Sequence, residues 1–347
     1  MMLKRLTCVA CVVALAGLVP SGSAVAARAR VPEWAKPAVN YLADQGLLDK
    51  ATFAPNAPMY RKDFRAMIEG AFGGGYSRTK GKVTAGEVGA TLVRVLDRQA
   101  IAQGLNEAQS PDGWDPQVPE RFGTEVVSRE LGLRHDRPTD EESMETAADD
   151  HMRQADVAWA VWRAMTAPSI YSADALARFG LEDYDATRRK VIRFALSLAG
   201  TPYVWGGEWI ARTPDGYPYG AQPAGGFDCS GFLWYVLQQK SSTYSPVGRD
   251  YKGWSLPERA SYDMAQATPR KKRLSYSELI PGDIVFFAPD GRDSKTSDVY
   301  HAGLYVGKGW MVHSSGGRAG VSLGEISKGT WWHDQIVFGR RVIPEGS

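Results

Sequence analysis

The chain has 347 residues, 44% hydrophobic and 23% charged, with 41 basic against 39 acidic side chains. That length leaves room for two domains, and the composition is that of a water-soluble globular protein. The near balance of charge excludes the general attraction to nucleic acid or to an anionic surface that a strongly basic chain would have.

The first stretch stands apart. Lys4 and Arg5 precede an apolar run from Leu6 to Val19, followed by Pro20, small residues and the small-x-small site Ala24-Val25-Ala26. This pattern predicts a signal peptide over 1–26, because the run is short for a membrane span. Cleavage removes Lys4, Arg5 and no acid, which brings the basic count down to the 39 of the acids. It also removes Cys8 and Cys11, leaving Cys229 as the one cysteine of an exported chain with no membrane contact. Such a chain forms no internal disulfide, and a free exported thiol is open to oxidation. A chemical role for Cys229 accounts for its presence; a fully buried thiol or an intermolecular disulfide are the alternatives.

Residues 27–166 are predicted to be a helical module. Trp34, Ala38, Tyr41, Leu42 and Leu48 recur at helical spacing, and Arg61 to Phe72 carries Phe64, Met67, Ile68 and Phe72 on one side. Further helices are expected from Val83 through Leu96, over Phe122 to Leu133 and over Arg153 to Met165. A helix-loop-helix layout that recurs at such a period predicts a stacked array in which each unit buries its neighbour's face. The acidic stretch Asp136 to Asp150 reads as a long solvated loop, flanked by His135 and His151, which have no third ligand nearby for a metal. Trp34-Ala35 through Gly46-Leu47, Phe53-x-Pro55 and Tyr60-Arg61-Lys62-Asp63-Phe64 resemble S-layer homology repeats, modules that attach exported proteins to cell-wall polymer. The resemblance implies wall binding through Arg61; the matching positions of the other two units hold Ala85 and Gln154.

Residues 167–185, polar and with Pro168, are expected to be a linker. The next helix is capped at Asp185-Ala186-Thr187, carries Val191, Ile192, Ala195, Leu198 and Ala199, and ends at Gly200. The loop from Glu208 to Gln222 reads as a cleft wall or as surface turns, the latter favoured for Tyr217 and Tyr219. Then comes Gly225-Gly226-Phe227-Asp228-Cys229-Ser230-Gly231-Phe232, a loop turning into a helix with Asp228 as N-cap and Cys229 in the first turn. A helix start favours negative charge, which predicts an acidic thiol. The basic run Arg270 to Arg273 is expected to be a solvated face.

Strands are predicted at Ile284–Phe287, His301–Val306 and Trp310–Ser314. A two-residue hairpin loop would place His301 and His313 on opposite faces. A three-residue loop ending at Gly309 pairs Val306 with Trp310 and brings both histidines to one face, which is the register expected here. A thiol and two imidazoles then form a hydrolase constellation: Cys229 as nucleophile, His301 as base and ion-pair partner, His313 orienting it. Strand histidines bound to backbone, or a zinc site of the same three residues, are the competing readings. His333 is expected to be structural.

The stretch 186–347 resembles the NlpC family of bacterial cell-wall cysteine peptidases. The resemblance rests on Pro202-Tyr203-x-Trp205-Gly206-Gly207, Phe227-Asp228-Cys229-Ser230-Gly231-Phe232, Pro281 to Phe287, His301 to Gly307 and Met311-Val312-His313-Ser314, in that order. It implies an α+β, papain-like domain with helices packed on an antiparallel sheet. It further implies Tyr203 as an oxyanion donor, Asp228, Ser230 and Trp205 lining the substrate cleft, and no cofactor or metal. The implied substrate is the peptidoglycan stem peptide, cut between γ-D-glutamate and a diamino acid. A non-catalytic wall-binding protein and an amidase acting next to muramic acid are the alternatives.

Overall fold

The computed structural model describes residues 30–215, 217, 222, 224–237, 254 and 256–345. The expected signal peptide and Tyr219 lie outside them. Helices α1 (Lys36–Asp44), α2 (Arg61–Phe72), α3 (Ala85–Val95), α4 (Gln99–Asn106), α5 (Phe122–Glu130) and α6 (Gln154–Thr166) build the N-terminal half. Helix α2 buries Phe64, Met67 and Ile68 and stops at Gly73 in the left-handed region. Helix α3 opens with a capping box: Thr84 Oγ accepts from the Glu87 N–H at 3.2 Å, and the Glu87 carboxylate takes the Thr84 N–H at 3.3 Å. Helix α4 was not expected. It buries only Ala102 and Leu105, too sparse a stripe to stand out in sequence.

The helices do not stack as an open array. Three short extended segments precede α2, α3 and α6 and close on one another. The Met59 N–H donates to Met152 O, the Met152 N–H to Val83 O and the Val83 N–H to Met59 O, at 2.9–3.0 Å. Two residues further on, the pattern repeats: the N–H groups of Arg61, Ala85 and Gln154 donate to the carbonyls of Gly81, Asp150 and Ala57. Arg61, Ala85 and Gln154 therefore hold equivalent places around a threefold ring.

The acidic stretch is not a solvated loop throughout. Asp140, Asp149 and Asp150 are exposed, but Glu142 is buried and Glu145 pairs with Arg129 at 2.8 Å. Glu145 turns inward to meet Arg129 of α5, and Glu142 to accept the Trp205 backbone N–H. His135 stacks on Trp34, with ring centroids 4.5 Å apart. The expected linker contains α7 (Ile170–Ala175) and a 3-10 turn at Leu176–Arg178, held by buried Ala173 and Leu176.

The C-terminal half contains α8 (Ala186–Ser197), the pair β1 (Glu208–Trp209) and β2 (Gly226–Phe227), then α9 (Cys229–Leu237) and α10 (Ser261–Gln266). An antiparallel sheet follows, of β3 (Arg273–Leu274), β4 (Ile284–Phe287), β5 (His301–Gly307), β6 (Trp310–Ser315), β7 (Gly320–Glu325) and β8 (Ile336–Arg340), with α11 (Trp331–Asp334) between the last two. The strand order is β3-β8-β4-β5-β6-β7, an α+β architecture. Ala302, Leu304, Val306 and Val312 face α9 in a core that runs without a break into the helical half. Val285, Phe287, Tyr305 and Met311 form a smaller cluster on the other face. Tyr217, expected at a surface turn, is buried against Trp209. Arg270, Lys271 and Lys272 are exposed, as expected.

Candidate active site

Cys229 is the first residue of α9, and all nine residues of that helix are buried. Burial of Phe232, Leu233 and Val236, about 1.5–3 kcal/mol each, fixes the helix and hence its first turn. The Asp228 carboxylate caps it by accepting the Gly231 N–H at 2.5 Å. A side chain at residue 231 would place its Cβ 1.9 Å from the Gly207 carbonyl oxygen, so glycine there lets the helix start pass close to the Gly206-Gly207 turn.

The thiol is not acidic here. Burial, then the nearby Asp228 carboxylate, pushes it up to about 12, against the pull of the Ala302 and Ser230 N–H groups and Arg259. The helix start contributes in the expected direction, but desolvation outweighs it. Burial likewise pushes His301 down to about 3. Both shifts favour the thiol and the neutral imidazole, the opposite direction to the expected ion pair.

The hairpin has features of both loop lengths. Leu304 pairs with Val312, which continues to Gly303 opposite His313, the expected register. At the tip Gly307 pairs with Trp310 across a two-residue turn, Lys308 (φ 51°) and Gly309 (φ 78°), and a bulge at Val306 absorbs the difference. Both histidines share one face, with His301 Nε2 2.7 Å from His313 Nδ1. At that separation the two nitrogens serve each other and not a shared ion, which disfavours the zinc reading. His313 also hydrogen-bonds the Leu323 backbone. A carbonyl at that end calls for a donor, so His313 carries its proton on Nε2 and accepts at Nδ1. His301 must then donate from Nε2, which leaves its Nδ1 lone pair as the available base. Trp332 packs on both rings, with centroids 4.8 Å and 5.2 Å away.

One cleft of about 1290 Å³ brings together Cys229, His301, His313, Tyr203, Trp205, Asp228 and Ser230. Tyr203 is bridged to Phe227, next to the cysteine turn. Burial, with Cys229 and Asp228 nearby, raises its phenol, so it remains a proton donor. Trp205 is largely exposed, and its backbone N–H donates to Glu142 at 2.6 Å. Asp228 and Ser230 are tied to Arg259, which bonds both Asp228 oxygens at 3.0 and 3.1 Å and Ser230 Oγ at 3.0 Å. Arg61 lies outside this cleft, paired with Glu87 at 2.8 Å. His333 is also outside it, its ring against Tyr276. The constellation can deliver a sulfur nucleophile, remove its proton through an oriented imidazole, and offer N–H and O–H donors to an oxyanion.

Residues 200–340 match the model of the NlpC/P60 family. This stretch is an NlpC/P60 domain. Over 150 residues the chain is 30% identical to the bifunctional muramidase/DL-endopeptidase CwlT of Bacillus subtilis, covering 43% of this chain and 35% of that protein. Over 146 residues it is 31% identical to the murein DD-endopeptidase MepH of Escherichia coli, covering 42% of each. The chain thus spans well under half the length of these relatives. The solved peptidoglycan hydrolase RipB of Mycobacterium tuberculosis aligns at 29% identity and a TM-score of 0.32, over 47% of this chain and 69% of that one.

Sequence reasoning did not find Arg259 or Trp332. Arg259 stands in the turn-rich stretch before α10, where nothing in the spacing marks it as the partner of Asp228. Trp332 stands beside Trp331 and His333 in the sequence, and nothing there marks it as a neighbour of His301. Nor did the sequence show that the helical half supplies a wall of the NlpC/P60 cleft. Glu130 at the end of α5 pairs with Arg318 at 3.0 Å, Arg178 pairs with Glu325 at 2.6 Å, and all four line the cleft. Behind them Arg129, itself fully buried, donates to Ala319 O and, at 2.6 Å, to Gly200 O.

Proposed function

We propose that this chain is an exported cysteine-type peptidoglycan endopeptidase. It hydrolyses stem peptides between γ-D-glutamate and the following diamino acid, in the wall or periplasm. The observation that carries the reading is the polar relay from the Leu323 carbonyl through His313 to His301, in one cleft with the Cys229 thiol. Support also comes from relatives named DL-endopeptidase and gamma-DL-glutamyl hydrolase.

In this reading Cys229 Sγ attacks the amide carbonyl as its proton passes to His301 Nδ1. Tyr203 and the Cys229 N–H hold the oxyanion, His301 protonates the leaving amine, and water hydrolyses the thioester. His313 keeps the imidazole in its working tautomer. Trp205, Asp228 and Ser230 line the substrate site. Arg61 is the candidate contact between the helical half and wall polymer.

The test is mass spectrometry of products from L-Ala-γ-D-Glu-meso-diaminopimelate and its lysine counterpart, each with and without the attached muramic acid, using wild type and Cys229→Ala. Release of the free diamino acid by wild type alone is expected. Products cut next to muramic acid would replace this reading with the amidase, and full activity in Cys229→Ala would sink the thiol mechanism.

A further inference from the structure

The cleft carries more than a reacting centre needs. Of the seven exposed tyrosines and tryptophans among the described residues, five line it: Tyr171, Trp205, Tyr262, Tyr300 and Trp331. Aromatic rings left in water and gathered on one surface mark a binding site, because scattered exposure would need no explanation but clustering does. The cleft's volume also exceeds the ~300–1,000 Å³ typical of small-molecule sites.

Two of the five belong together. Tyr171 sits on α7, is 85% exposed, and projects from a helix anchored by Ala173 on its buried side. Trp331 opens α11, which packs on β7, and is 60% exposed. The Arg178–Glu325 pair lines the same cleft and links their elements: Arg178 follows α7 and feels the Tyr171 phenol, and Glu325 ends β7, on which α11 packs. Flat aromatic faces in one cleft with a charged pair of hydrogen-bonding capacity suit a pyranose. Its C–H face stacks on the ring while its hydroxyl and acetamido groups meet the polar atoms. The paired charges leave this end of the cleft without a net demand for a charged ligand.

The distance to the chemistry is also suitable. Trp331 contacts Trp332, with centroids 4.7 Å apart, and Trp332 contacts His301. The rim is thus two ring contacts from the base. In a stem peptide, two residues separate the sugar from the γ-glutamyl bond, a reach of roughly 7 Å at ~3.3–3.6 Å per residue.

We propose that Tyr171 and Trp331 form a subsite for the uncharged aminosugar that carries the stem, so that this chain acts on stems still attached to glycan. The proposal rests on the peptidoglycan reading above and adds the sugar to its substrate. One ring comes from α7, in the segment that joins the helical half to the NlpC/P60 domain, and one from that domain, so the joining segment has a direct part in choosing substrate.

Two measurements test it. In the first, the full chain with Cys229→Ala is titrated with glycan strands stripped of their peptides, followed by calorimetry. Binding is expected, weakened about tenfold by Tyr171→Ala and again by Trp331→Ala. In the second, KM is compared for the tripeptide with and without its disaccharide. The sugar is expected to lower KM about tenfold in wild type, and Tyr171→Ala to bring the ratio close to one. Failure of stripped glycan to bind, or an equal effect of Tyr171→Ala on both substrates, overturns the subsite. Glycan binding by a chain that cuts neither substrate would keep the subsite and sink the hydrolase reading.

Discussion

Cys229, His301 and His313 are buried at the cleft, and Arg129, Arg134 and Arg137 are buried in and just after α5, outside the residues that line it. In the first group burial drives each member to its neutral form, His301 by desolvation alone. In the second, guanidinium and carboxylate groups meet: Arg129 with Glu145 at 2.8 Å, Arg134 with Glu125 at 3.1 Å, and Arg137 with Asp156. Similar depth is accommodated in two ways: groups that can shed charge near neutral pH are driven to do so, and guanidinium groups, which cannot, are each met by a carboxylate. Neutral groups suit a centre that must exchange a proton during reaction. Fixed ion pairs suit a wall that must hold its position.

The largest expected effect comes from removing one member of the charged group. Arg129→Met leaves the Gly200 carbonyl without its donor, the Ala319 carbonyl with only the Tyr203 N–H, and Glu145 without its cation. We expect a loss of about 3–5 kcal/mol of stability by denaturant unfolding. A loss under about 1 kcal/mol would show that these pairs do not hold the wall. On the neutral side, the expected signature is spectroscopic. An ordinary cysteine thiol is about one quarter ionised at pH 8, whereas Cys229 should show no thiolate band near 240 nm relative to Cys229→Ala. A band at pH 7 would mean that the ion pair forms before substrate binds.

The smallest effect concerns a residue between the two groups. Burial, opposed by Arg318, pushes the Glu130 carboxyl up to about 7. A raised carboxyl favours the folded state fully below its unfolded value, and that contribution is lost as pH rises through about 7. Melting temperature should therefore fall between pH 5 and pH 8. Glu130→Gln should reduce that fall by about 2–4 °C. Asp136, Glu142 and Glu145, also raised by burial, keep part of the slope. An unchanged slope would mean that Glu130 keeps its charge throughout.

The parts of the molecule legible in sequence were those whose signals are local. The extent of α2, the start of α9 at Cys229 and the face shared by His301 and His313 followed from spacing, turn residues and side-chain alternation. The strands β7 and β8 were missed. The helix start at Cys229 can be read in sequence, whereas the depth of burial that opposes its effect on the thiol cannot. The inward turn of Glu142 and Glu145 depended on partners brought by folding, the Trp205 N–H and Arg129, and the place of Arg259 beside Asp228 likewise depended on folding.

The ring of hydrogen bonds joining Met59, Val83 and Met152 has a consequence for how such a module can change. In an open array a unit can be gained or lost at an end, because every interior joint is left as it was. Here each segment is both donor and acceptor, and the last returns to the first. Deleting any one unit strands a partner on each side, and inserting a fourth would require every angle in the ring to open. Copy number is thus held at three by closure, and the module can vary only by lengthening what lies between its joints, as the segment from α4 to the acidic strap already does.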